Sequence, residues 1–218
     1  MGFDILYEDN HVIVCYKEAG ILSQKDITGD SDIQSMIKAY IKEKYQKPGN
    51  VYLGLVHRLD RMTSGLMVFA KTSKAASRLS EAIKMGDFSK KYLAVCIGSI
   101  KEKEKQLIDY LSHDEKNNMA YIDKNGKKAI LNFKTLEIED NNTLIEVELL
   151  TGRHHQIRCQ MASFGYPLYG DIKYGAKKEA PLALEAYYLS FVHPVTKEVL
   201  VFQKHIKKGI FKIFKYDC

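Results

Sequence analysis

The chain has 218 residues, 45% hydrophobic and 28% charged, the balance of a globular protein that can bury a core without disulfides or metal. Lysine and arginine outnumber aspartate and glutamate by 33 to 27, a formal +6, which is compatible with a polyanionic partner but too mild to demonstrate one. The four cysteines (Cys15, Cys96, Cys159 and Cys218) lack metal-knuckle spacing, and neither a signal peptide nor a membrane-length apolar run is present, so a cytoplasmic protein with free thiols is expected.

Phe3–Tyr7 and Val12–Tyr16 read as strands joined by the turn Glu8-Asp9-Asn10. Ser31-Asp32-Ile33-Gln34 has the pattern of a capping box. It opens a helix whose apolar residues Ile33, Met36, Ile37, Tyr40 and Ile41 recur at three and four positions. Pro48-Gly49-Asn50 ends that region, and Val51–Val56 leads into His57-Arg58-Leu59-Asp60-Arg61-Met62-Thr63-Ser64-Gly65-Leu66. Here an acid stands between two arginines, a setting that keeps it ionised. A carboxylate so placed can act as nucleophile or base. Taken alone, a salt-bridged surface turn is the simpler reading.

Ser73 can cap a second helix, with Ala76, Leu79 and Ile83 on one face and Gly86 as its stop. Ser89-Lys90-Lys91 then gives a basic approach to the apolar strand Tyr92–Ile97, and Lys101–Lys105 is a charged loop. From Gln106 to Leu150 the pattern is mostly β, with turns at Asp123–Gly126 and Asp140–Asn142. Arg153–Phe164 is expected as a short helix closed by Gly165, followed by a loop-rich stretch through Gly170-Asp171 and Gly175. Leu189–Val192 and Val199–Phe202 read as strands, and a basic, aromatic tail begins at His205. Strands scattered among helices, with no repeat or linker, point to a single α+β domain over residues 1–218.

Gly152-Arg153-His154-His155-Gln156-Ile157-Arg158 forms a second dense set of donors. Five residues are well off a whole number of helical turns, so Arg153 and Arg158 should meet different partners. One could reach an acid of the protein and the other a phosphate; a solvated basic helix would show the same charge. Adjacent histidines on a helix diverge by about 100°, and no His-Glu-x-x-His occurs, so no metal is expected. Gly-rich phosphate loops and a nucleophile elbow are absent as well, so no nucleotide cofactor is expected.

Four ordered segments resemble the RluA-type pseudouridine synthases. They are His57–Asp60 with Thr63–Leu66, Lys90–Ala94, Gly152–Arg158 and Gly165–Gly175. The resemblance implies a mixed, largely antiparallel central sheet flanked by helices and loops, with the active site in a cleft across it. It implies a cofactor-free isomerase acting on uridine in ribosomal or transfer RNA, without an N-terminal S4 domain and working as a monomer. Asp60 would be the nucleophile, Tyr92 would lie against the uracil, and Arg158 would pair with Asp60. Arg58 would help to displace the target base, and Ile157 and Leu66 would shape the apolar wall. RNA would be held by His57, Lys90, Lys91, Arg153 and the basic tail. Four departures from the family pattern stand out. Lys17-Glu18-Ala19-Gly20 lacks the usual proline, His154 replaces Thr or Ser, Cys159-Gln160 replaces Val-His, and Glu185 stands where His is usual. Two alternatives compete: a non-catalytic RNA-binding relative, and a glycosidase, which would want a second cooperating acid.

Overall fold

The computed structural model describes residues 3–177 and 180–216; Cys218 lies outside them, and Cys15, Cys96 and Cys159 are buried free thiols. The architecture is α+β, as the scattered strands predicted, with a mixed, largely antiparallel sheet, as the resemblance implied, and three α-helices among the described residues. The chain divides into two compact units. The first comprises residues up to Ser89 together with Tyr188–Lys204, and the second Lys90–Tyr187 together with the chain from His205.

The first unit is built on β1 (Phe3–Glu8), β2 (Val12–Lys17) and β4 (Ser64–Ala70), adjacent in that order and antiparallel, with the short β3 (Gly54–Leu55) also on β4. Every residue of β2 and β4 is buried. That explains why both read as continuous apolar runs: a strand covered on both faces has no polar alternation. Helix α2 (Ser73–Met85) lays Ala75 and Leu79 into a core with Val14, Tyr16, Val68, Phe88, Leu189 and Phe191. β11 (Val199–Gln203) pairs with the Tyr188–Val192 end of β10 (Leu184–Val192).

Helix α1 (Ile33–Lys44) buries Ile33, Ile37 and Ile41, as the periodicity predicted. Its cap lies one residue later than expected. The Asp32 carboxylate accepts the Ser35 N–H at 2.8 Å, and Gln34 donates instead to the Leu53 carbonyl; a charged acceptor makes the stronger cap. Likewise Thr72, not Ser73, caps α2 through the Ala75 N–H at 3.1 Å. Gly86 ends α2 in the left-handed conformation, as predicted. Glu8 ties β1 to α1 and to the segment after β4, receiving Lys44 and Lys71 at 2.7 Å each and the hydroxyls of Tyr45 and Tyr40.

In the second unit the strand order is β5 (Phe88–Ile97), β9 (Asn142–Leu149), β8 (Lys127–Glu139), β6 (Glu104–Asp114) and β7 (Met119–Ile122), antiparallel throughout. Helix α3 (Gln156–Ser163) packs Cys159 against Leu111, Ala120 and Ala129. It starts three residues later than predicted, because His155 adopts a left-handed φ of 47° that no α-helix can contain. The Gln156 amide oxygen instead pins the preceding turn, accepting the Arg153 N–H and the Thr151 hydroxyl. The tail is folded rather than free: Ile206, Phe211 and Phe214 are buried, and Lys208 pairs with the buried Glu185 at 2.5 Å. An acid at 185 therefore has its counter-charge in the tail. Among the described residues no helix is long and apolar enough to cross a membrane.

Candidate active site

The acidic loop is a non-helical link between β3 and β4 in the first unit, and its side chains alternate inward and outward. His57 and Leu59 are buried, Arg58 is exposed and Asp60 is half-buried. His57 serves the scaffold: its Nε2 accepts the Val68 N–H at 3.0 Å and its ring meets the edge of Phe88. Leu66 is fully buried in β4. The Thr63 N–H donates to the Asp60 carbonyl at 3.0 Å and closes the turn after the acid. Arg61 turns away, bonding Asp30 at 2.7 Å and the Gly20 carbonyl at 3.1 Å. The loop thus presents Arg58 outward beside a half-buried carboxylate.

In the second unit Arg158 is buried on α3 and makes a two-pronged ion pair. Its Nε and Nη2 each donate to Asp171 at 2.7 Å. Its Nη1 lies 2.8 Å from His155 Nε2, and its guanidinium sits over the Tyr174 ring. Burial, and then the Arg158 charge, push the His155 pKa down to about 2. The neutral imidazole accepts from Arg158 at Nε2, so its proton is on Nδ1, facing the Tyr174 hydroxyl at 3.0 Å. Gly170 makes the turn that inserts Asp171. Its φ is +77°, and a Cβ there would meet the Pro181 carbonyl oxygen at 2.3 Å. The Asp171 carboxylate in turn fixes the orientation of Arg158.

His154 and His155 were expected to diverge as consecutive helical residues. Their rings instead stack at 3.9 Å, with His113 against His154 at 4.2 Å, because the turn before α3 is not helical. Gln160, at the Cys159-Gln160 departure, donates to Asp109 at 2.7 Å and accepts from Gln156, anchoring α3 to β6. Ile157 is buried beside these groups in sequence, whereas Arg153 is exposed and donates through Nε to the Lys128 carbonyl.

On β5, Tyr92 is buried and pairs in register with Val147, itself opposite Phe133. Phe133 follows Ala129 and Leu131 on the sheet face that α3 covers, so Tyr92 is on that face too. Lys90, two residues earlier, shares it, and desolvation lowers its pKa. Lys91 falls on the opposite face and pairs with Glu146 at 3.1 Å, beside a cavity of about 480 Å³ whose lining includes Lys105, Lys134, Glu104 and Glu148. The two lysines, which a linear reading treats as one basic approach, face opposite ways.

Sequence reasoning placed Asp171 in a structural turn and missed its pairing with Arg158, His155 as a positioning group, and Ser23, whose hydroxyl contacts the main chain of Leu59. It also missed Asp9, His193 and Thr196. His193 Nε2 is 2.9 Å from Asp9, and Thr196 Oγ1 is 3.0 Å from Nδ1. That array cannot work as a catalytic triad: Nδ1 already accepts the Thr196 and Val195 amides at 2.9 and 3.3 Å, leaving no lone pair for a base.

The first unit thus carries an outward-facing Arg-Leu-Asp loop, and the second a buried tyrosine on a strand and a carboxylate-clamped arginine. The RNA pseudouridylate synthase family model matches residues 11–163, and the chain belongs to that family. It is 35% identical over 216 residues to an uncharacterized RNA pseudouridine synthase of Bacillus subtilis, covering 97% of this chain and 75% of that one. It is also 35% identical over 208 residues to a ribosomal large subunit pseudouridine synthase C of Buchnera aphidicola, covering 89% of this chain and 64% of that one. The fold resembles that of human RNA pseudouridylate synthase domain containing 4, with a TM-score of 0.75 at 22% identity, over 95% of this chain and 89% of that one. The enzyme is therefore an isomerase of the RNA pseudouridine synthase class.

Proposed function

We propose that the enzyme converts uridine in structured RNA to pseudouridine with Asp60 as nucleophile, working together with Tyr92 and Arg158 and without a cofactor. The chemistry is an exchange of bonds. The bond between uracil N1 and the sugar C1′ breaks while the Asp60 carboxylate carries the detached intermediate. The base turns, C5 bonds to C1′, and the C5 proton leaves as N1 gains one. No electrons are gained or lost overall, so neither oxidant nor energy source is required.

The observation that carries this reading is the loop geometry: a half-buried acid next to an exposed Arg58, on a turn whose backbone is tied down on both sides. An enzyme that reacts at C1′ and C5 must take the base out of its stack. An exposed guanidinium beside the nucleophile suits that displacement, and the face of Tyr92 suits the extruded ring. Lys90 and Arg153 are the cations assigned to phosphate. A phosphate beside Lys90 would offset the desolvation that lowers its pKa.

Ribosomal and transfer RNA are both open to such an enzyme. Relatives named for the large ribosomal subunit make ribosomal RNA the first substrate to test. The enzyme acts as a cytoplasmic monomer whose whole described chain serves one catalytic function. The test is release of tritium from 5-tritiated uridine in bulk RNA, with Asp60→Asn and Asp60→Ala beside the intact protein. Turnover should fall about a thousandfold or more in either variant, with an unchanged melting temperature. Full activity in Asp60→Asn would sink the mechanism. An intact protein that binds RNA and releases no tritium from any RNA would make it a binding relative. Mapping modified uridines in a strain lacking the protein then identifies the site.

A further inference from the structure

We infer that segment 17–23 is a brace that positions Asp60 for reaction, with the Ser23 hydroxyl and the Lys17 ammonium as its two positioning groups. This rests on the reading of Asp60 as the nucleophile. Nothing in the family motifs marks Ser23. Its side chain is buried, and its oxygen bonds both main-chain polar groups of one residue: it accepts the Leu59 N–H at 3.0 Å and donates to the Leu59 carbonyl at 2.6 Å. Leu59 immediately precedes the acid. On the other side, the Arg61 carbonyl accepts the Lys17 ammonium at 3.2 Å and the Gly20 N–H at 2.8 Å.

The residues flanking Asp60 are thus held by one segment, and the Asp60 carbonyl itself is held by Thr63. None of these bonds uses the carboxylate. The arrangement fixes the backbone from which the carboxylate projects. Such support matters because misplacing a reacting group by about 1 Å can cost about a hundredfold in rate.

Lys17 also shapes the turn of this segment. It is fully buried, and besides Arg61 it donates to the carbonyls of Glu18 at 3.1 Å and Ile21 at 2.8 Å. Those two bonds gather the turn around the ammonium.

The test uses the full-length protein with Ser23→Ala, Ser23→Thr and Lys17→Met. In Ser23→Ala, turnover at saturating RNA should fall at least tenfold while the half-saturating RNA concentration stays within about twofold. Ser23→Thr, which keeps the hydroxyl, should recover most of the loss. The Leu59 amide should exchange with solvent at least tenfold faster in Ser23→Ala, since its acceptor is gone. Lys17→Met, which leaves the Arg61 carbonyl without its ammonium, should likewise lower turnover at saturating RNA while the half-saturating concentration stays within about twofold. Unchanged turnover in Ser23→Ala overturns the proposal, as does a loss confined to RNA affinity or one that threonine does not repair. The amide exchange is read without any activity, so it separates failure of the brace from failure of the enzymatic reading. An unaltered Leu59 exchange rate rejects the brace even if no RNA is turned over.

Discussion

The loop carrying Asp60 and the helix carrying Arg158 solve one problem, holding a charged side chain still, by opposite means. Around Asp60 the described clamps fall on backbone atoms of its neighbours, through Ser23, Lys17 and Gly20. Arg158 is gripped by its own guanidinium, through both oxygens of Asp171 and the ring of His155. The difference follows from what each group must do. A carboxylate proposed to attack the substrate gains from support that reaches it through the main chain of its neighbours. A guanidinium has five donors and can spend three on fixing its orientation while keeping others to act.

The contrast breaks most visibly at Asp171. Asp171→Ala leaves a buried guanidinium without its two-pronged partner, a change of about 3–5 kcal/mol in stability. Urea denaturation should show the lower midpoint, and turnover should vanish with it. If the variant melts like the parent protein, Arg158 is not held as described. Arg158→Lys should retain the charge and still lose the fork, so it should fall between the two in stability.

A side-chain ion cluster also exists in the first unit, at Glu8, and it tests whether such clusters serve the loop. Burial there raises the Glu8 pKa, but hydrogen bonds from Lys44, Lys71 and Tyr45 outweigh it and bring it down to about 2. A carboxyl held below its unfolded value stabilises the fold above that value and loses the contribution as pH falls through the folded one. Stability should therefore decline from about pH 4.5 toward pH 2. Glu8→Gln should remove about 2–3 kcal/mol at neutral pH and flatten that decline. Its turnover per folded molecule should be unaltered; a fall in turnover would show that the loop depends on a side-chain network after all.

His155 refines the comparison on the helix side. Its folded pKa lies near 2 against an ordinary 6.5, so only the unfolded chain takes up a proton as pH falls below about 6.5. Stability should already decline there, two units above the onset due to Glu8. His155→Asn keeps the left-handed backbone, which asparagine adopts readily, and loses the reach to Arg158. It should cost about 1–2 kcal/mol and abolish the decline between pH 6.5 and 4.5. Calorimetry across that range that gives the variant the same slope as the parent protein would falsify this assignment.

The local fold was largely legible because its signals are local. Ile33, Ile37 and Ile41 announce α1, and Gly86 announces the end of α2. The Arg-Leu-Asp loop was legible as a motif. What supports the site was not, because each support spans a distance the sequence cannot show. Ser23 is 36 residues from Leu59, and Asp171 is 13 from Arg158. The helical assumption at Arg153–His155 failed for a different reason. A left-handed residue at His155 leaves no trace in apolar periodicity, so two stacked rings were read as diverging ones.

Lys90 and Lys91 give the smallest effect, yet the one that best separates a pattern read along the chain from one read across the sheet. Adjacent in sequence, they face opposite sides of β5, and Lys91 is committed to Glu146 at 3.1 Å. Lys91→Met should change stability by less than about 1 kcal/mol and leave RNA affinity as it was. Lys90→Met should weaken RNA binding several-fold and lower the salt slope by about one, because it removes one phosphate neutraliser from the face that also carries Tyr92. Filter binding across a salt series reads both. Equal losses from the two variants would mean that RNA reaches both faces of the strand, and the assignment of Lys90 alone would have to be given up.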